Sequence, residues 1–193
     1  MKKILNFSSK AKSLGLRLDE IKEIKNILEK NGGKLYLVGG NVRDLIQGKK
    51  ISSSIDLVTN INVTNLIKIL KSWKIRFIET GVNFGTITII LNQCRIELTS
   101  MRKDIETDGR WAKVEFTQKL IEDSKRRDFT INSIYCDARG NLIDNHDGVA
   151  DLKRGIVRFI GDPETRIKED YLRILRFFRF SLEISKSANS TDY

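Results

Sequence analysis

The sequence predicts an α/β (α+β) protein: a mixed sheet with flanking helices, followed by the start of a helical extension. Three observations lead there. Short apolar segments at 35–38, 55–58, 84–91 and 94–99 read as strands, and around Thr86 and Thr88 the polar and apolar residues alternate as in a half-buried strand. Between them, Ile21, Ile24, Ile27 and Leu28, then Val63, Leu66, Ile67 and Leu70, recur at helical spacing. Near the C-terminus, Leu172, Ile174, Leu175, Phe177, Phe178 and Phe180 surround a helix and predict that it is largely buried.

In chain order, a helix over 19–30 is stopped by Asn31-Gly32-Gly33. A strand from Leu35 to Val38 runs into Gly39-Gly40 and a helix over 42–46. A second strand spans 55–58, a helix 62–73, and strands follow at 75–78, 84–91 and 94–99. The charged stretch from Met101 to Trp111 reads as a mobile loop, and 113–116 returns to strand character. Residues 132–136 read as helical, 144–148 as a turn and 149–153 as a short helix. Ile156 to Ile160 is apolar and is broken by Gly161-Asp162-Pro163. A helix is expected from Glu169 to Leu182, then a frayed polar tail.

Composition narrows the classes. The 193 residues, 40% of them hydrophobic, supply an ordinary core. No apolar run approaches the roughly 18 residues of a membrane span, so no membrane partner is expected. Ile4-Leu5 after Met1-Lys2-Lys3 is too short for a signal-peptide core. Cys94, Cys136 and the single His146 have no metal-ligand spacing, which points to a reducing, cytoplasmic setting. The net charge of +10 favours polyanionic partners, although a generally lysine-rich composition accounts for it equally well.

Four constellations carry candidate chemistry. Glycines between a strand and a helix let backbone N–H groups approach a phosphate, with Arg43 on the first turn in reach; Gly39-Gly40 alone is more often a plain turn. Ser54 and Asp56 project to one face of a strand, where two carboxylates would clamp two metal ions, but this chain offers one. Glu97 stands opposite its apolar neighbours Ile96 and Leu98, or is simply an exposed strand residue. Arg173, Arg176 and Arg179 recur every third residue among apolar side chains, so they must meet carboxylates, phosphates or bases, or snorkel to water. Arg126-Arg127-Asp128, following Glu122-Asp123, reads by itself as a solvated charged cluster.

Together these segments resemble class II CCA-adding tRNA nucleotidyltransferases and bacterial poly(A) polymerases. Leu35-Tyr36-Leu37-Val38-Gly39-Gly40-Asn41-Val42-Arg43-Asp44 resembles that family's opening motif, and Ser54-Ile55-Asp56-Leu57 occupies the place of its Asp-x-Asp metal motif. Residues Arg126 to Asn132 look like its hinge motif and Glu169-Asp170-Tyr171-Leu172-Arg173 like its nucleotide-selecting motif. Asp104 to Phe116, with Thr107-Asp108-Gly109-Arg110, is most similar to the alphaproteobacterial and mitochondrial CCA-adding branch.

The resemblance implies a polymerase β-like head over 34–145, an N-terminal helical leader over 1–33, the start of a helical neck over 146–184 and a polar tail over 185–193. It implies that Gly39, Gly40 and Arg43 hold a triphosphate, and that Asp56 and Glu97 bind Mg²⁺. Arg127 would contact the incoming nucleotide. Asp170 and Arg173 would read the base edge of CTP or ATP, with Arg176 and Arg179 completing the pocket. The implied substrates are ATP, CTP and a tRNA or other RNA 3′ end. Ser54 departs from the pattern by removing one metal-binding carboxylate. Family members also continue into further helical regions, so a separate C-terminal helical subunit is an implied partner. The alternative reading is a non-catalytic nucleotide- or RNA-binding remnant.

Overall fold

A computed structural model describes residues 2–52, 54–108 and 111–188. Its helices are α1 (Phe7–Ser13), α2 (Leu18–Lys30), α3 (Gly40–Gln47), α4 (Val63–Ser72), α5 (Leu120–Lys125), α6 (Gly148–Lys153), α7 (Pro163–Glu169) and α8 (Leu172–Ala188). Its strands are β1 (Leu35–Val38), β2 (Ser54–Thr59), β3 (Phe77–Ile78), β4 (Thr86–Leu91), β5 (Cys94–Ser100), β6 (Arg102–Asp108), β7 (Trp111–Phe116), β8 (Tyr135–Cys136) and β9 (Leu142–Ile143).

Seven strands form one mixed sheet in the order β3-β4-β5-β2-β1-β8-β9. Among the described strands only β2 and β5 run parallel, pairing Ile55 with Ile96, Asp56 with Glu97 and Leu57 with Leu98. The period-2 alternation divides these residues between two faces. Ile55, Leu57, Ile96 and Leu98 join α1, α2, α3 and α4 in the main apolar core. Val58, Val38, Tyr135 and Met101 form a smaller cluster on the other face. The N-terminal helices are part of the main core, since Phe7, Ala11, Ile21, Ile24 and Leu28 are buried in it.

Several expectations are corrected. The charged stretch after Met101 forms the antiparallel hairpin β6–β7, its chain direction set by backbone pairing that needs no apolar alternation. Gly109 and Arg110 lie outside the described residues. Residues 132–136 do not form a helix: Thr130–Asn132 is a single 3₁₀ turn, and Tyr135 and Cys136 extend to pair with β1. Phe84 belongs to a 3₁₀ turn, so β4 begins at Thr86. Gly161-Asp162-Pro163 breaks the chain as expected and also starts α7, with Asp162 accepting from Thr165 N at 2.8 Å and Pro163 in the first turn. Asp170 then takes an extended conformation (φ −158°, ψ 103°) and ends α7, so the arginine-bearing helix begins at Leu172 rather than Glu169. It continues to Ala188, past the expected start of the tail; residues 189–193 lie outside the described set.

The second packing centre holds α8 to the head. Phe129, Ile131, Leu152, Phe180 and Ile184 are buried together, and Phe129 meets the rings of Phe159, Phe177 and Phe180 at 4.8, 6.2 and 5.8 Å. Under it, α6 presses directly on the 3₁₀ turn: a Cβ on Gly148 would lie 2.1 Å from the Thr130 carbonyl oxygen, so only glycine fits. Contrary to the expectation of a largely buried helix, α8 packs through one face only. Leu175, Phe178 and Leu182 are 66%, 60% and 65% exposed.

Asp123 organises the sheet face opposite the main core. Its carboxylate is fully buried and accepts from Arg126 Nε (2.8 Å), Arg127 Nη2 (3.0 Å), the Tyr135 hydroxyl (2.7 Å) and the backbone N–H of Arg102 (3.3 Å). Burial alone would raise its pKa, but the charges of Arg127 and Arg126 prevail and hold it at about 2. A depressed carboxylate stabilises the fold above its unfolded value, and that contribution disappears as pH falls through the folded value. Chemical denaturation followed across pH should therefore show stability declining between about pH 4 and pH 2. Asp123→Asn should flatten that decline and cost roughly 3–5 kcal/mol at neutral pH, because it leaves buried guanidiniums uncompensated.

Candidate active site

The site is built where β1 ends. Gly39 has φ 68° and ψ −133°, a conformation open to glycine alone, and it turns the chain from β1 into α3. A Cβ there would point at the Asp56 carboxylate, 3.9 Å from Oδ2. Among the described residues no side chain caps the N-terminus of α3, which leaves its first N–H groups facing the same region. The buried Asn41 fixes β2 against this turn. Its amide donates to the Ser54 carbonyl at 3.1 Å and its Oδ1 accepts from Asp56 N at 2.7 Å.

Asp56 and Glu97 are register partners on parallel strands, so their side chains stand side by side on the face away from the main core. Burial raises the pKa of Asp56, the charge of Glu97 raises it further, and Arg127 opposes both. Glu97 is more open and receives a hydrogen bond from Arg95 Nη2 at 3.3 Å. Two adjacent hard-oxygen donors suit a hard divalent cation that keeps several waters. Among the described residues no group of three or more histidine, cysteine or acidic side chains gathers around a metal position. Ser54, two residues before Asp56, supplies only a neutral hydroxyl on the same face.

The arginines fall into two groups. Arg43 Nη1 donates to Asn132 Oδ1 at 3.1 Å, and its guanidinium lies 4.9 Å from the centre of the Phe180 ring. Arg176 and Arg179 approach the same ring at 5.3 and 4.5 Å. Arg176 Nε also donates to Asp128 Oδ2 at 2.7 Å, while Asp128 Oδ1 accepts from Asn132 Nδ2 at 3.1 Å. A continuous chain, Arg43–Asn132–Asp128–Arg176, thus ties the first turn of α3 to the middle of α8.

The second group surrounds Arg127. Its Nε donates to the Tyr135 hydroxyl at 3.1 Å; burial works to lower its pKa, but the neighbouring Asp123 and Tyr135 prevail and raise it. Arg166 Nη2 donates to the carbonyls of Arg126 (2.6 Å) and Arg127 (2.9 Å), fastening α7 to this segment. Arg173 Nη1 donates to Glu169 Oε2 at 2.6 Å and to the Arg166 carbonyl at 2.7 Å. Asp170 Oδ1 accepts from Leu172 N at 3.1 Å. Each arginine of α8 therefore has a carboxylate: Glu169, Asp128 and, for Arg179, Glu183 at 3.8 Å.

Sequence reasoning singled out the cations but missed Asp123, Asn132, Arg166 and Glu169. It placed Asp128 in a solvated patch, yet Asp128 is buried and bonded. The available signal was that three arginines in an apolar helix need carboxylates, phosphates, bases or a path to water, and here carboxylates answer.

Known proteins resemble this chain in sequence and in fold. A profile of the Poly A polymerase head domain matches residues 35–158. The mitochondrial CCA tRNA nucleotidyltransferase 1 of Mus musculus is 44% identical over 161 residues, 83% of this chain and 37% of that protein. The CCA-adding enzyme of Ligilactobacillus salivarius is 38% identical over 171 residues, covering 86% and 41%. The crystal structure of the Bacillus stearothermophilus CCA-adding enzyme in complex with CTP superposes with a TM-score of 0.75 at 34% identity, over 84% of this chain and 38% of that one. For the Thermotoga maritima CCA-adding enzyme complexed with tRNA the TM-score is 0.70 at 26% identity, over 93% and 41%. The chain thus spans about two fifths of the length of these relatives. Matched by sequence profile across most of its sheet and by fold across nearly all of its described length, the chain belongs to the poly(A) polymerase head-domain family of nucleotidyltransferases.

Proposed function

We propose that this chain is the nucleotidyl-transfer head of a template-independent RNA nucleotidyltransferase that adds CMP and AMP to tRNA 3′ ends. The observation that carries the reading is the pair Asp56–Glu97, adjacent in parallel register beside the Gly39 turn. The names of the relatives favour CCA addition over polyadenylation.

In this reading the triphosphate rests on the uncapped N–H groups of Gly40 and its neighbours, where the helix dipole favours anions. Arg43 keeps donors beyond those given to Asn132 and Asp44, and these serve the phosphates. The RNA 3′-hydroxyl attacks the α-phosphate, forming a new phosphodiester bond as pyrophosphate leaves. Asp56 and Glu97 would hold Mg²⁺, which when bound neutralises the charge developing on the phosphoryl oxygens. Arg127, anchored by Asp123, lends positive potential to Asp56 and to the nucleotide without itself moving. Arg173 bonds through Nη1, so its other N–H groups, with Asp170, are left to read the base edge. Arg176 and Arg179 close the pocket.

Tyr171, Leu175, Phe178 and Leu182 are exposed at spacings of four, three and four, the seam by which one helix packs on another. A separate C-terminal helical subunit that also grips the tRNA would cover them. No described helix is long and apolar enough to cross a membrane. The two unpaired, buried cysteines suit a reducing cytoplasm.

Ser54 favours a second reading, in which the chain binds nucleotide with little turnover. The two are separated by extending a tRNA that lacks its 3′ CCA with labelled CTP and ATP. Because the cradle and base-reading residues are intact, CTP or ATP should raise the thermal midpoint by several degrees in either case. Arg173→Ala should remove that shift, and no shift at millimolar nucleotide would refute both readings.

Replacing Ser54 restores a carboxylate to the metal face. Ser54→Asp should raise Mg²⁺-dependent addition by at least about tenfold, the equivalent of roughly 1.4 kcal/mol of barrier. Ser54→Asp combined with Asp56→Ala should remain inactive. A wild-type rate that Ser54→Asp does not improve would show that the hydroxyl suffices.

Asp56 also trades stability for chemistry. An acid whose pKa rises on folding takes up a proton in the native state, so its contribution to stability is greatest at low pH and lost as pH rises through the folded value. At neutral pH the ionised carboxylate opposes folding. Asp56→Asn should therefore raise the metal-free thermal midpoint at pH 7 by about 1–3 °C, a gain that shrinks toward pH 4, while abolishing nucleotide addition.

A further inference from the structure

A cavity of about 520 Å³ lies between the N-terminal arm and α6, and the proposed chemistry makes no use of it. Its rim carries four ammonium groups, from Lys2, Lys3, Lys10 and Lys153, and among the described residues no acidic side chain lines it. Its floor is aliphatic, formed by Ile46, Leu142, Val149 and Ala150. Leu5, 81% exposed, stands at the edge with no apolar cover. The arm is held in place by backbone bonds, from Ile4 N to the Gly140 carbonyl at 2.9 Å and from Leu142 N to the Lys2 carbonyl at 2.8 Å.

We propose that this cavity is a binding site for an aliphatic anion, with a carboxylate or phosphate head at the lysine rim and a hydrocarbon body along the floor. Charge and polarity are separated in the way such a ligand requires. Lys2 is partly engaged, 3.4 Å from Asp144, and Lys10 reaches the Ile46 carbonyl at 3.4 Å. The Asp144 carboxylate is 4% exposed and bonded to Gly148 N and Val149 N at 2.8 and 3.0 Å, so its charge offsets part of Lys2, and Lys3, Lys10 and Lys153 supply the remaining positive charge of the rim. Lys3 and Lys153 are exposed on either side. The volume lies within the range of about 300–1,000 Å³ usual for small-molecule sites.

Nucleic acid satisfies only half of this surface. Lysines attract phosphates, but single-stranded RNA gains sequence-tolerant affinity by stacking bases on aromatic rings, and among the described residues no aromatic side chain lines the cavity. An aliphatic chain gains from the same floor. The site is also separate from the carboxylate pair: Ile46 lies about 9 Å along α3 from Gly40.

The full chain, labelled at isoleucine, leucine and valine methyls, is titrated with dodecanoate and with dodecyl phosphate below their self-association concentrations. Saturable shifts at Leu5, Ile46 and Val149 are expected for both anions. Lys3→Glu with Lys153→Glu should weaken binding by about tenfold, since it reverses two of the rim charges. Ala150→Phe should fill the floor and abolish binding. Circular dichroism and unfolding midpoints check that each variant folds, and the lysine variant alone decides the matter if Ala150→Phe does not. Vesicles of phosphatidylglycerol identify the source. Variant-sensitive binding to vesicles assigns a lipid, binding to monomers alone assigns a free acyl anion, and either result supports the site. The proposal is overturned by equal binding of dodecyltrimethylammonium, by an RNA dodecamer shifting the same methyls in competition with dodecanoate, or by no saturable shift at millimolar ligand.

Discussion

The buried charge of Asp123 is the constraint on which the site depends. A carboxylate with no exposed surface is tolerable only when every lone pair is used, and here a guanidinium pair, a phenol and a backbone N–H use them. Those four partners come from the hairpin root, from α5 and its exit, and from β8. Satisfying one anion therefore fixes where the hairpin leaves the sheet, how Arg127 faces Asp56, and where the chain begins its path toward α7. The same Tyr135 ring packs with Val38, Val58 and Met101, so the polar knot and the second apolar cluster form together.

From that knot, two polar chains reach the last helix. Arg166 binds the carbonyls beside Arg126 and Arg127 and in turn offers its own carbonyl to Arg173. Asp128 and Asn132 carry the other chain, between Arg43 and Arg176. Between them lies the ring cluster around Phe129, which excludes water and strengthens both. The head and α8 are thus joined by directional bonds on either side of an apolar centre, an arrangement that sets orientation more narrowly than apolar packing alone. Three guanidiniums round the Phe180 ring add an attraction that any one of them can leave while the others hold.

Much of this was legible in the residues. Alternation placed Asp56 and Glu97 on faces opposite their apolar neighbours, and helical spacing found α2 and α4 nearly to their ends. What escaped has physical causes. The hairpin β6–β7 is held by backbone pairing and carries mostly charged side chains, so it offers no pattern of period two. Residues 131–136 are all buried, and a run buried on every side has no periodicity to separate helix from strand. The helices α5 and α7 are short and polar, and only the Asp162-Pro163 start marked the second. The parallel register that brings Asp56 beside Glu97 is a long-range pairing with no local signature. Partners of the arginines were invisible for the same reason: the need for a partner or for water was evident, but not that carboxylates would meet it, nor which ones.

That register has a kinetic meaning. The hairpin β4–β5 closes through the two residues Asn92 and Gln93, both at positive φ, and is a local, rapidly formed element. The pairing of β2 with β5 instead joins segments some forty residues apart, across α4 and the hairpin itself. Contacts of that separation wait on the closure of a large loop and belong to the slow part of folding. The two carboxylates are consequently strangers in any early intermediate and become neighbours only when the sheet completes. Their mutual repulsion is thus met late, after local structure has formed, and the metal affinity proposed for the pair would return on refolding only with the final long-range closure of the chain.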